Sequence, residues 1–422
     1  MPQKKTKHPL SSASLLALSV VSGSALADIN QKVEDALNFY HYGKNGAVKF
    51  DLNTRWENVD QDRGPQKTAN AVTSRLRAGL LSPVFHGIQG YAEYEGNLAM
   101  VEDFNSLRNG NTGYSTIPDP EKSELNQLWI SYAGIPDTLI KGGRQRIKLD
   151  DDRFIGNVGW RQMETTFDSV LLTHNNQQIF GLTVNAGYIG NVQTFTATNE
   201  HIEAPILNVN YKVGDYGNLV AYGYWLDYTE RENYEKSSQT YGLRMSNWQK
   251  PGDSLKLSDN YGLVYTAEWG HQEDYGHGAT NYDTDRINLM GGFTAYNFTF
   301  QGAVEQLDGK GVNKTFDTPL GTNHAFQGWA DLFLVTPRDG IRDVSGAVFT
   351  TLDRGSVVLS GIYHDFTDDT GRFHYGKEYD FSALKKFGKH YSVLAKYAYY
   401  DANTFGGTTD TQKIWIQGNI NF

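Results

Sequence analysis

The chain has 422 residues, of which 39% are hydrophobic, with a mean hydropathy of −0.53 and a formal charge of −10. No stretch of its body approaches the roughly 20 consecutive apolar residues of a membrane-spanning helix, and the acidic balance argues against a nucleic-acid partner. The absence of cysteine excludes thiolate metal sites and thiol catalysis, while 44 glycines and 26 tyrosines favour extended, turn-rich chain over helix bundles.

At the start, Lys4, Lys5 and Lys7 precede an apolar run from about Leu10 to Val21, then Ala25-Leu26-Ala27. This is the pattern of a secretory signal peptide, residues 1–27, cut before Asp28; as a membrane anchor the run is too short and too rich in serine. Its removal takes away three lysines and no acids, moving the formal charge from −10 to −13. Residues 28–45, with INQKVEDALNFYHY, read as a short helix or a plug strand in a periplasmic mouth.

From about Gly46 to Phe422 one unit recurs: some ten residues of period-two hydrophobicity, then alternately a short turn and a long polar loop. The short turns include residues 82–87, 134–137, 213–217, 295–297, 353–355 and 387–390. The long ones include 102–122, 229–237 and 274–285. This alternation predicts an all-β fold, a transmembrane antiparallel up-and-down barrel with short periplasmic turns and long extracellular loops. Nineteen segments have strand character, but a chain with both ends in the periplasm needs an even number. Treating residues 324–340 as part of a long outer loop, 309–340, restores both parity and turn lengths, leaving about 18 strands. Phe326, Trp329, Phe333 and Leu334 of that loop would be costly in water, which predicts that it folds inward and narrows the pore. The last strand, TQKIWIQGNINF, alternates through Ile414, Ile416, Gly418, Ile420 and Phe422 on one side and Trp415, Gln417, Asn419 and Asn421 on the other. It would close the sheet against the first strand and leave Phe422 at the inner interface, among the aromatic girdle.

In a barrel, strand phase assigns each side chain to lipid or lumen, and an arginine facing lipid at mid-bilayer costs about 2–4 kcal/mol. In VKFDLNTRWE the apolar set Val48, Phe50, Leu52 and Trp56 faces out, so Arg55 and Glu57 face in. Leu76, Ala78 and Leu80 outward place Arg75 and Arg77 inward. In TLIKGGRQRIKL, reading Leu139, Gly143, Ile147 and Leu149 as the lipid face puts Arg144, Arg146 and Lys148 in one lumenal column, three unpaired cations that near neighbours in sequence cannot all neutralise. Arg244 and Arg286 follow from the apolar phase of their own strands. The same reading supplies lumenal acids: Glu93, Glu95, Glu268, Glu305, Glu378 and Asp380. Opposed columns of charge in a narrow aqueous pore select solutes by charge and dipole.

Over the whole mature chain the sequence resembles the alginate export family of outer-membrane porins of Gram-negative bacteria. The resemblance rests on residues 51–62 with 68–80, on KGGRQRIKLDDDRFIGNVGWRQMETTFDSV (Lys141 to Val170) and on TNHAFQGWADLFLVTPRDGIRD (Thr322 to Asp343). It implies an eighteen-stranded barrel whose arginine-lined lumen passes an anionic uronate polysaccharide or, in many relatives, smaller solutes. Arg144 in GGRQ, Arg153 in DDRF and Arg161 in GWRQ match the family's basic positions, with Trp160, Trp329 and Asp331 in the same stretches. A terminal aromatic such as Phe422 resembles the signal read by the barrel assembly machinery. The expectation is therefore an outer-membrane channel for hydrophilic, anionic solutes, lodged among lipid and lipopolysaccharide. The alternative is a substrate-selective uptake porin for small sugars, carboxylates or aromatic compounds. An enzyme would need a converging Ser, His and acid, and the eleven histidines show no H-E-x-x-H spacing, so neither catalysis nor a cofactor is expected. Asp150, Asp151 and Asp152 and the run 365–371 fall in outer loops, where solvation, or bridging to lipopolysaccharide through divalent ions, is the plainer reading than a calcium site.

Overall fold

The structure, a computed structural model, describes residues 30, 46–62, 66–176, 181–279, 281–403 and 407–422. The leader at 1–27 and nearly all of 28–45 lie outside the described residues. The strands run β1(Ala47–Gln61), β2(Ala69–Leu81), β3(Ile88–Asp103), β4(Lys122–Ile135), β5(Thr138–Gln145), β6(Thr166–Asn176), β7(Leu182–Gln193), β8(Asn199–Lys212), β9(Asn218–Tyr228), β10(Ser238–Ser246) and β11(Leu255–Lys256). They continue as β12(Tyr261–Glu273), β13(Asp283–Ala295), β14(Phe298–Leu307), β15(Ile341–Leu352), β16(Val357–Thr367), β17(His374–Phe387), β18(Tyr391–Ala402) and β19(Thr411–Asn421). The two-residue β11 only lines a turn against β12, so eighteen strands form the wall. Every neighbour pair is antiparallel, and β1 pairs with β19 from Asp51↔Asn421 to Gln61↔Thr411, closing the sheet without an edge. Phe422 completes the seam by exchanging two backbone hydrogen bonds with Phe50, and its ring stacks on His390 at 4.2 Å.

The polarity of this barrel is inverted relative to a water-soluble protein. Leu80, Leu98, Ile130, Leu243, Leu289, Phe293, Phe381 and Ile416 are exposed on the outer wall, while their alternates Arg75, Glu93, Arg244, Arg286, Glu378 and Trp415 are buried inside. An apolar band facing out and a polar interior is the arrangement a lipid bilayer requires.

The interior is far from empty. Residues 146–165, between β5 and β6, and 308–340, between β14 and β15, both fold into the lumen. Ile147, Leu149, Phe154 and Ile155 from the first, with Phe316, Leu320, Ala330 and Phe333 from the second, pack in one cluster with wall residues such as Phe167, Tyr222, Tyr224 and Phe366. At about 1.5–3 kcal/mol for each large side chain taken out of water, this cluster holds both segments against the wall.

That cluster corrects the phase of β5. Arg144 pairs across the sheet with Leu128 on one side and Asp168 on the other, and Leu128 and Val170 on this face are 53% and 57% exposed. Directly opposed residues share a face, so Arg144 lies on the outer wall, and Lys141 and Gln145 point inward. The strand also ends at Gln145, so Arg146 and Lys148 belong to the inward segment. The phase misleads because Ile147 and Leu149 are apolar for a different reason: they face the internal protein core, not lipid. Gly143, at φ 119°, makes the departure possible, since a Cβ there would collide with the Leu128 carbonyl.

The lumenal constriction, a candidate functional site

Closure of the barrel brings together charges far apart in sequence. On β2, Arg75 donates to Asp51 and Arg77 to Glu95. Arg146 reaches Glu93 at 2.7 Å and also Glu164, and Lys148 meets Asp152 at 2.8 Å. Arg144, outside, is held in a fork by Asp168 at 2.8 Å, and also donates to the Leu125 carbonyl at 3.4 Å, where β4 has run past the end of β5. The reading of 144, 146 and 148 as unneutralised cations is thus corrected for all three. The partners of Arg144 and Arg146 lie on other strands or at the far end of the inward segment, where spacing along the chain does not show them, whereas that of Lys148 stands only four residues on.

Deeper in, Arg286 bridges Glu305 at 2.7 Å and Glu268 at 2.9 Å, while Arg153 approaches Glu305 at 3.3 Å. Arg153 also lies over the Phe326 ring, tying the first inward segment to the second. Arg244 meets Asp151 at 3.0 Å, and Asp150 accepts from Asn208 at 2.7 Å. The Asp150–Asp152 run is therefore spent on the protein's own donors. Among the described residues no group of three or more His, Asp or Glu is placed to hold a metal ion.

The two inward segments meet the wall at Lys396. Its ammonium stands 3.7 Å from the Trp329 ring, 4.0 Å from Trp160 and 5.3 Å from Trp415. Each ring face attracts the cation. His324 stacks on Trp160 at 4.5 Å and 3°, accepts from Lys396 through Nε2 at 2.8 Å and donates through Nδ1 to Asp331 at 2.6 Å. Burial pushes the His324 imidazole down to about 3, a neutral ring that suits this relay. Burial would raise Asp331, but the His324 ring and the Lys413 and Arg161 cations, at 2.8 and 3.3 Å from its carboxylate, hold it well below its ordinary range. Arg161 also binds Glu57 at 3.1 Å and Asp119 at 3.5 Å, and Arg55 covers the Trp160 face at 4.3 Å. Above this knot, toward the outer loops, opens a vestibule of about 950 Å³ with Gln61, Arg161, Lys236, Asp331, Arg338 and Lys413 on its walls.

The structure thus brings Arg55, Trp160, Arg161, Trp329 and Asp331 into one cluster, sets Arg153 with Arg286 and Glu305 in a second, and leaves Arg144 outside. Sequence reading missed Lys396, Lys413 and His324. The signal was present for Lys413, which shares its phase with Thr411, Gln417 and Asn419, but weak for Lys396, whose face also carries Leu394, Ala398 and Tyr400. For His324, in a loop without period, there was none.

A family model described as Alginate export matches residues 47–300, well over half the chain. Solved structures share the fold over 90% of this chain. Pseudomonas aeruginosa OpdQ is 15% identical with a TM-score of 0.65 over 99% of its own length. Acinetobacter baumannii OccAB3 is 12% identical with a TM-score of 0.67 over 100%. Pseudomonas aeruginosa OpdK, solved with vanillate, is 11% identical with a TM-score of 0.67 over 99%. A search of curated proteins found none that matches.

Proposed function

Because the chain belongs to the alginate export family, we propose that this outer-membrane porin is a substrate-selective channel for small anionic solutes, above all carboxylates with an apolar or aromatic body. The observation that carries this reading is the meeting of the two inward segments at Lys396. There Trp160, Trp329 and Trp415 surround one cation, and Trp415, Arg153, Arg161 and His324 are buried. A uronate polymer needs a long run of cations free to meet successive carboxylates, and the arginines of this lumen already hold acids of their own. A small carboxylate needs to displace one contact at a time. In this reading Arg55, Arg75, Arg77, Arg146, Lys148, Arg244 and Arg286, set against Glu93, Glu95, Glu268 and Glu305, shape the field along the path. The vanillate bound to OpdK, an aromatic carboxylate in a barrel of the same fold, supports the solute class.

The test is permeation into liposomes carrying the purified barrel. Single-ring and short-chain carboxylates should enter faster than neutral sugars of equal size, with oligouronates of several residues excluded. Entry of oligouronates at the rate of the small carboxylates would return the protein to polysaccharide transport.

A further inference from the structure

On the periplasmic side of the first inward segment, where β5 to β7 begin or end, lies a cavity of about 180 Å³. Its lining includes Leu139, Lys141, Gln145, Arg146, Lys148 and Leu171, with three cationic residues and no acid among all its lining residues. Arg146 and Lys148 are matched by carboxylates, but Lys141 forms no ion pair among the described residues and stands only over the Trp129 ring at 4.5 Å. Beside it, Lys49 lies over Tyr91 at 5.3 Å, and that ring is 5.5 Å from Trp129, so two ammoniums flank one aromatic pair. Gln145 is 1% exposed; its Nε2 donates to the carbonyls of Lys141 and Ser169, and its Oε1 has no donor among the described residues. A buried acceptor left unmatched is costly, and a donor brought in by a solute relieves that cost.

From this geometry, and resting on the small-anion reading above, we infer that the cavity is a binding station for a small hydroxy-carboxylate. The carboxylate meets Lys141, the apolar body lies between Leu139 and Leu171, and a hydroxyl donates to Gln145 Oε1. A cavity of about 150 Å³ is known to admit a benzene ring, so this one takes a single-ring or short-chain solute and no saccharide chain. Its place beyond the constriction makes it the last station before the periplasm.

The experiment is single-channel recording of the full-length barrel with 4-hydroxybenzoate and benzoate as probes, alongside the liposome assay with the same two compounds. In the natural protein 4-hydroxybenzoate should interrupt the current at lower concentration than benzoate. Lys141→Gln should raise the blocking concentration roughly tenfold or more, the loss of one charge-assisted contact, and Lys141→Arg should restore it. Gln145→Leu should abolish the difference between the two probes. Unchanged block in Lys141→Gln, with permeation of both compounds intact, overturns the station and leaves the channel reading standing. Equal block by the two probes in the natural protein overturns the hydroxyl contact. No permeation and no block by either compound overturns both station and channel reading.

Discussion

Arg161 and Arg144 carry the same charge in surroundings that give it different weight. Arg161 is buried and shared among Glu57, Asp119 and Asp331, so Arg161→Met takes one cation from three buried carboxylates, leaving Asp331 its Lys413 but Glu57 and Asp119 only the longer contacts to Arg55 at 3.9 and 3.6 Å; breaking a buried pair costs up to about 3–5 kcal/mol. Arg144 sits in a half-exposed fork with Asp168 on the outer wall, and Asp168 keeps the Asn191 amide at 3.0 Å when the arginine is removed. Thermal unfolding of the reconstituted barrel should therefore fall markedly for Arg161→Met and little for Arg144→Ser. Arg144→Ser should also leave the reversal potential in a salt gradient unchanged, whereas Lys396→Gln should shift it toward cations. A shift with Arg144→Ser would place that side chain in the lumen after all. The residues whose side was legible in the sequence, Arg55, Arg75 and Arg286 among them, lie on strands whose other face is mostly apolar, as in Val48, Phe50, Leu52 and Trp56 of β1, with Thr54 and Ser74 meeting each other where that face is broken on β1 and β2. Arg144 was not legible, because Ile147 and Leu149 prolong an apolar pattern past the point where the chain leaves the wall.

At the scale of elements, the inward segment 308–340 has a built-in response to acid. His324 free in water titrates near ~6.5, whereas the packed ring is pushed down to about 3. Between these values the opened segment binds a proton that the packed one does not. Packing is therefore fullest above the upper value and weakens as pH falls toward the lower one, by up to about 1.4 kcal/mol per pH unit. Current noise from opening events should rise as pH is lowered through this window, and His324→Asn should flatten the dependence. Equal noise in both proteins across the window would show that the ring does not gate the segment. The segment's own outline was readable from turn lengths and parity, which also reach the eighteen wall strands. Its contacts were not, since a chain without period carries no phase, and the acids it meets, Glu378 and Asp380, take its backbone N–H groups from the far wall.

For the whole molecule, the apolar outer band places the protein in the outer membrane, and two segments sharing one apolar core inside the barrel narrow its lumen. Phe316 and Phe333 anchor the second segment in that core, Phe333 against Phe366 at 4.8 Å. The most direct measurement is the single-channel conductance and carboxylate-over-chloride selectivity of the natural barrel against a Phe316→Ser, Phe333→Ser variant. Release of the segment should raise the conductance severalfold and erase the selectivity. A variant with the conductance and selectivity of the natural protein would contradict the claim that the inward segments form the filter.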